Sequence, residues 1–304
     1  MTYILEQANV LKESKVVTCS ILVKNERVDY ISDKLQRHSF MRSNLSKYLL
    51  TPGHVMLNYS FSKEHSFLSF KEEITETYLK KGCTTLLVLS DLQHERELNS
   101  TIKNTKHYLL NCPIDYYLGI RIPLKSLTSS LLIACRRKKI PIVIVTIENV
   151  EDLYHIPWGW IRESYHSYQI PIVPDWKIKE KSFFSGSNHL DLWKSIMEDN
   201  NIPTIPFCPD ENKPLSIEVL KKIGIYPAKG DIRVGGELDY NLYDHNEIGY
   251  SVDEKPTLDY HKHIPKITMH KGKFTKVGSK VYFHSGFGNE CIVKKPGYFV
   301  STFE

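Results

Sequence analysis

Leu49-Leu50-Thr51-Pro52-Gly53-His54-Val55-Met56-Leu57-Asn58-Tyr59-Ser60 divides the chain into two kinds of sequence. A Pro-Gly turn separates a short apolar strand, Tyr48-Leu49-Leu50, from a second apolar run that closes on the polar pair Asn58 and Ser60. Before it everything reads as β. Val16 to Val23 is β-branched, Lys24-Asn25-Glu26 makes a turn, and Arg27-Val28-Asp29-Tyr30-Ile31 alternates as a returning strand.

After it, from Asn58 to about Tyr226, helical and strand patterns alternate. Phe67, Phe70, Ile74 and Tyr78 recur at helical spacing up to Gly82, a helix-ending glycine, and Cys83 to Leu89 follows as a buried strand. The same order repeats: a helix over about 95–110 and the strand Ile114 to Ile120, then a helix over 127–138 and the strand Ile140 to Ile147. A helix near 160–167 and the strand Ile170 to Val173 come next, with one more helix over 190–199. Such alternation predicts a parallel sheet or barrel. From Gly230 onward the pattern returns to β, including a hairpin through Ile267–His270 and Phe274–Val277. The expected fold is therefore α/β: an incomplete or distorted TIM-like (β/α) barrel over 53–229, beside a small composite β-sandwich made by both termini, 1–52 and 230–304.

Composition limits the function classes. With 304 residues, 41% hydrophobic and 25% charged, the chain has the makings of a folded core. The net charge of +5 is scattered, and Arg136-Arg137-Lys138-Lys139 reads as the solvated end of a helix, so no nucleic-acid partner is expected. No stretch is long and apolar enough for a membrane span, and the N-terminus lacks a signal peptide's apolar core. Six dispersed cysteines without a Cys-x-x-Cys pair fit reduced thiols and a cytoplasmic protein.

Several separated pieces resemble the cyclic amidohydrolases, the dihydropyrimidinase, hydantoinase and dihydroorotase group. Leu50-Thr51-Pro52-Gly53 and the apolar run after it look like the family's first barrel strand. Gly82-Cys83-Thr84-Thr85-Leu86 is similar to its second. Gly224-Ile225-Tyr226-Pro227-Ala228-Lys229-Gly230, with Glu237-Leu238-Asp239-Tyr240 beyond it, resembles its return from barrel to sandwich. The tail from Gly286 to Pro296 resembles the end of dihydropyrimidinases. The resemblance implies a metal site, because the family's first strand ends in Asp-x-His-x-His and both histidines bind metal. Here Met56 stands at the Asp, Asn58 at the first His and Ser60 at the second. The family also carries a carbamylated strand lysine, and Ile140 to Ile147, the best candidate for that strand, contains none. Neutral oxygens of Asn and Ser bind Zn²⁺ poorly, so no metal or other cofactor is expected.

Two alignments compete for Ile170-Pro171-Ile172-Val173-Pro174-Asp175-Trp176. Pro174 stands where a metal histidine was, or Asp175 is the family's catalytic aspartate, the alignment that Lys181-Ser182-Phe183-Phe184 and the helix beyond it favour. The candidate site is then Asp175 with the vestigial Asn58 and Ser60. His261-Lys262-His263 reads as surface histidine, and Tyr154, Trp158, Trp160 and Tyr165 as a core or interface cluster. The middle segment is also short. Residues 58–226 hold 169 positions, enough for five or six βα units at roughly 30 residues each, against about 200 or more for a complete barrel. The expected protein is a pseudoenzyme that assembles as a homo-oligomer or binds a small molecule or protein partner. The alternative is a hydrolase of a cyclic amide or other non-peptide C–N bond with an altered metal site.

Overall fold

The computed structural model describes residues 1–297 apart from 14, 34, 36–38, 60–65, 166–167, 179–185, 251–255 and 261. Two main sheets organise the chain, as the mixed α/β reading anticipates. The first is nine-stranded, in the order β16-β15-β14-β11-β5-β1-β2-β3, with β4 also on β1. Its N-terminal members are β1 (Thr2–Lys12), β2 (Lys15–Lys24), β3 (Arg27–Ser32), β4 (Met41–Asn44) and β5 (Tyr48–Pro52). Its C-terminal members are β11 (Tyr240–Asp244), β14 (Ile267–His270), β15 (Lys273–Val277) and β16 (Lys280–Val281). A two-stranded ribbon, β12 (Gly249–Tyr250) with β13 (Pro256–Thr257), lies between them in sequence. The two ends of the chain meet where β5 runs antiparallel to β11 over five residue pairs, Tyr240 opposite Pro52 to Asp244 opposite Tyr48.

The second sheet is parallel and follows chain order: β6 (His54–Asn58), β7 (Cys83–Asp91), β8 (Asp115–Pro123), β9 (Val143–Ile147) and β10 (Ile172–Trp176). Each strand is almost wholly buried, as expected when a parallel sheet is covered on both faces. Its apolar residues form the larger core with the helices between the strands, among them α2 (Leu98–Tyr108), α3 (Ser129–Arg137), α6 (Gly186–Asp199) and α7 (Ile217–Ile223). The helical stretch from Phe67 starts on a Ser66 cap and runs through a π turn at Ile74–Tyr78 to Gly82, whose left-handed φ of 81° ends it. That conformation suits glycine. A Cβ at Gly82 would also lie 2.5 Å from Asn241 Oδ1 on β11.

The edges of the parallel sheet are not left open among the described residues. One segment, 203–215, touches both. At the β10 edge Ile172 N donates to Pro203 O (2.9 Å) and Thr204 Oγ1 to Ile172 O (2.6 Å). At the β6 edge Asn212 N donates to Leu57 O (3.2 Å) and Leu215 N to Val55 O (2.8 Å). Trp193 of α6 holds the strap from outside by donating its indole N–H to Thr204 Oγ1 at 2.9 Å. The sheet therefore curls, and an irregular, proline-rich strap spans the gap between its first and fifth strands.

Candidate functional site

Strand register fixes which side chains face the hollow of the curled sheet. Asp91 pairs with Arg121 across β7 and β8, and Thr146 with Asp175 across β9 and β10. All four point inward at the C-terminal ends of their strands, where βα-barrel proteins build their sites. They line a cavity of about 400 Å³ with Glu148 and Lys177. The Arg121 guanidinium is bidentate on Asp91, Nε at 2.6 Å and Nη2 at 2.8 Å. Asp175 is buried, its Oδ1 3.3 Å from Lys177 Nζ and its Oδ2 without a partner among the described residues. Lys125 lies 3.3 Å from Asp152 on the outer lip.

The strap closes one side of this mouth. The Tyr59 hydroxyl meets Cys208 Sγ at 2.5 Å and donates to Pro209 O at 3.0 Å, while Glu211 accepts from Tyr59 N. Arg121 stacks over the Tyr59 ring, 5.2 Å from its centroid. Burial pushes both the Tyr59 phenol and the Cys208 thiol up in pKa, so both are protonated at neutral pH.

Of the residues singled out from sequence, Asp175 sits in this mouth and Asn58 does not. Asn58 aligns with Val88 and Leu118, the face opposite Asp91 and Arg121. There its Nδ2 donates to the Tyr78 hydroxyl (2.7 Å) of the covering helix, and its Oδ1 has no partner among the described residues. Asn58 and Asp175 thus lie on opposite faces of one sheet. Ser60 and His261 are outside the described residues; His263 Nδ1 accepts from Asp259 N (3.0 Å). Asp91, Arg121, Tyr59, Lys177 and Cys208 were not foreseen. The available signal was a charge closing an apolar strand, Leu89-Ser90-Asp91 and Gly119-Ile120-Arg121.

The family's binuclear metal does not fit this donor set. Among the described residues no imidazole lines the cavity, and three of its four carboxylates, Asp91, Asp152 and Asp175 but not Glu148, already face a lysine or arginine. The described histidine and carboxylates near enough to share an ion lie elsewhere, at the N-terminal end of β8: Asp115, Asp239 and His270. Ammonium groups fill that position instead. Lys229 Nζ stands 2.7 Å from Asp115, 2.6 Å from Glu237 and 2.7 Å from Asp239, and Lys271 Nζ lies 2.5 Å from Asp115. Burial opposes ionisation of both aspartates, but His270, hydrogen-bonded to Asp239 and 3.7 Å from Asp115, and the Lys229 charge outweigh it, holding Asp239 at about 2 and Asp115 lower still. Burial likewise opposes the Lys229 charge, and the three carboxylates overcome it. The cluster ties the start of β8 to β11 and β14, and so locks the two sheets together.

This architecture is shared with enzymes that open cyclic amides. A dihydropyrimidinase from Brevibacillus agri superposes with a TM-score of 0.57 at 15% identity, covering 96% of this chain and 98% of that one. The L-hydantoinase from Arthrobacter aurescens gives 0.59 at 11%, covering 95% and 99%. The D-hydantoinase from Thermus sp. gives 0.59 at 13%, covering 98% and 100%. No protein-family model matches the sequence, and no curated protein does either. The likeness is one of fold.

Proposed function

We propose that this protein is a shortened, hydantoinase-like scaffold that binds a ligand or partner at the mouth of its parallel sheet without metal-dependent hydrolysis. One observation carries the reading: among the described residues three of the mouth's four carboxylates are paired with Arg121, Lys125 and Lys177, and no imidazole lines it. Polarising an amide and generating hydroxide near neutral pH call for a metal with an open position, and Glu148 with the unpartnered oxygen of Asp175 is a poorer donor set than the imidazoles such sites use. The turning of Asn58 toward Tyr78 supports it, since even a histidine there would face the helix layer. Asn58→His alone should therefore recruit no zinc.

The test is metal analysis of protein purified without chelator, alongside hydrolysis of dihydrouracil and hydantoin. The reading expects metal well below one equivalent and no turnover above buffer. Zinc-dependent ring opening that Asp175→Asn abolishes would instead establish the second reading, a hydrolase with an altered site. That reading draws on Asp175, a buried carboxylate with one unpartnered oxygen and the geometry of a base. A homo-oligomer is proposed as the assembly form, and a light-scattering mass of 35.3 kDa across dilution would remove it.

A further inference from the structure

A second cavity of about 390 Å³ opens at the N-terminal end of β8 and shares no lining residue with the mouth. The chain's tail builds one side of it. Residues 288–291 run along the start of β8, with Gly288 N donating to Cys112 O (2.9 Å), Tyr116 N to Asn289 O (3.0 Å) and Cys291 N to Tyr116 O (2.7 Å). This places Ile292 and Lys294 opposite the turn that follows α7. Gly224 permits the close approach: a Cβ there would lie 2.6 Å from Lys295 O and 2.8 Å from Val293 Cγ1.

The walls are apolar, made chiefly by Tyr117, Tyr226, Pro227 and Ile292. The charges are all of one sign. Arg233, Lys294 and Lys295 line the cavity, and among the described residues no carboxylate does. Arg233 is held against the wall, its Nε donating to Pro227 O at 3.1 Å. The carboxylates that act on Tyr226, Asp231 and Glu13, lie outside the lining, and Glu13 is engaged by Lys221 at 3.4 Å. A concave apolar site of this volume is within the range that holds small molecules. One sign of charge around low-dielectric walls focuses the field on a counter-charge. We infer that this cavity binds a small organic anion, a carboxylate or sulfonate carried on a flat apolar body. The inference is independent of what occupies the mouth.

The experiment is fluorescence titration of the full chain with 8-anilinonaphthalene-1-sulfonate, compared with the uncharged N-phenyl-1-naphthylamine, which has the same ring system. The sulfonate should saturate one site, bind more tightly than the neutral probe, and weaken with added salt. Lys294→Glu should weaken the sulfonate about tenfold, as expected for reversing one of three charges around the anion. Lys294 is exposed, so the melting temperature should stay at the parent value. Ala228→Trp should fill the cavity and remove binding of both probes, while Asp175→Asn at the mouth should leave both unchanged. The inference is overturned if Lys294→Glu binds the sulfonate as the parent does, if the neutral probe binds as tightly as the charged one, or if Asp175→Asn removes the site.

Discussion

Replacing Lys229 by methionine keeps most of the side chain's length and removes the ammonium, with its charge and its three hydrogen bonds. In the folded protein that ammonium is buried and stands within 2.7 Å of three carboxylates. Glu237 is about a third exposed and can return to water, but Asp115 and Asp239 remain enclosed. His270 and Lys271 still neutralise part of the cluster, so the loss should fall near the low end of what breaking a buried ion pair costs, about 3 kcal/mol. At about 2 °C per kcal/mol for a chain of this size, the melting temperature should drop by roughly 6 °C. Urea unfolding at pH 7, followed by circular dichroism, gives the free energy, and scanning calorimetry gives the temperature. Lys80→Met is the control, because its pair with Glu76 is exposed on a helical stretch and should contribute less than about 1 kcal/mol. Adding Asp239→Asn to Lys229→Met should recover part of the loss by removing the orphaned charge. If Lys229→Met and Lys80→Met unfold at the same urea concentration, burial is not what makes this cluster costly to break, and the reasoning fails.

The pH dependence should be a dome with two histidines on opposite limbs. Burial depresses His54 to about 3, so its contribution is complete above pH 6.5 and is lost as pH falls toward 3, at about 1.4 kcal/mol per unit. For His270 burial opposes the charge, but its hydrogen bond to Asp239 and the Asp115 carboxylate 3.7 Å away win and raise its pKa. Its contribution is therefore complete below pH 6.5 and fades as pH rises through the folded value; His54→Gln should flatten only the acid limb of a melting-temperature scan. Trp193→Ala removes a buried indole that packs edge-on against Trp158 and Trp176 and anchors the strap, and should cost about 3–5 kcal/mol by the same urea assay. Gly82→Ala forces a side chain into a left-handed position and onto Asn241, so roughly 2 kcal/mol should be lost; a variant as stable as the parent would contradict the contact.

Strands with one continuous apolar identity were legible in the sequence, and what faces which way was not. Cys83 to Leu89 and Ile140 to Ile147 announced themselves because burial on both faces demands an unbroken apolar run. That same burial erased the two-residue period by which the inward side of β6 could have been told from the outward, so nothing in His54 to Asn58 revealed that Asn58 turns to Tyr78. The β1 strand was hidden for another reason: its register shifts between Leu5 and Ala8, with Gln7 at a positive φ of 52°, which breaks the alternation. Asp175 was found because it follows an apolar run at a strand end. The Lys229 cluster was not, since Asp115 lies 114 residues from Lys229 in sequence and only the fold brings them together. The aromatic group split as well, with Trp158 buried and Tyr154 and Trp160 exposed.

The strap over 203–215 carries Pro203, Pro206, Pro209 and Pro214, and a proline has no N–H to donate to a ladder. In a barrel closed strand to strand, circumference and stagger are tied together, so strands can be gained or lost only if the whole ring re-registers. A strap touching each rim through a few bonds imposes no such bookkeeping. The wall it closes could lengthen or shorten by one strand–helix unit with no change beyond the distance the strap must cross. Closure through a few isolated bridges instead of a continuous ladder thus makes the strand count of this fold a free variable, one that insertion or deletion can explore a unit at a time.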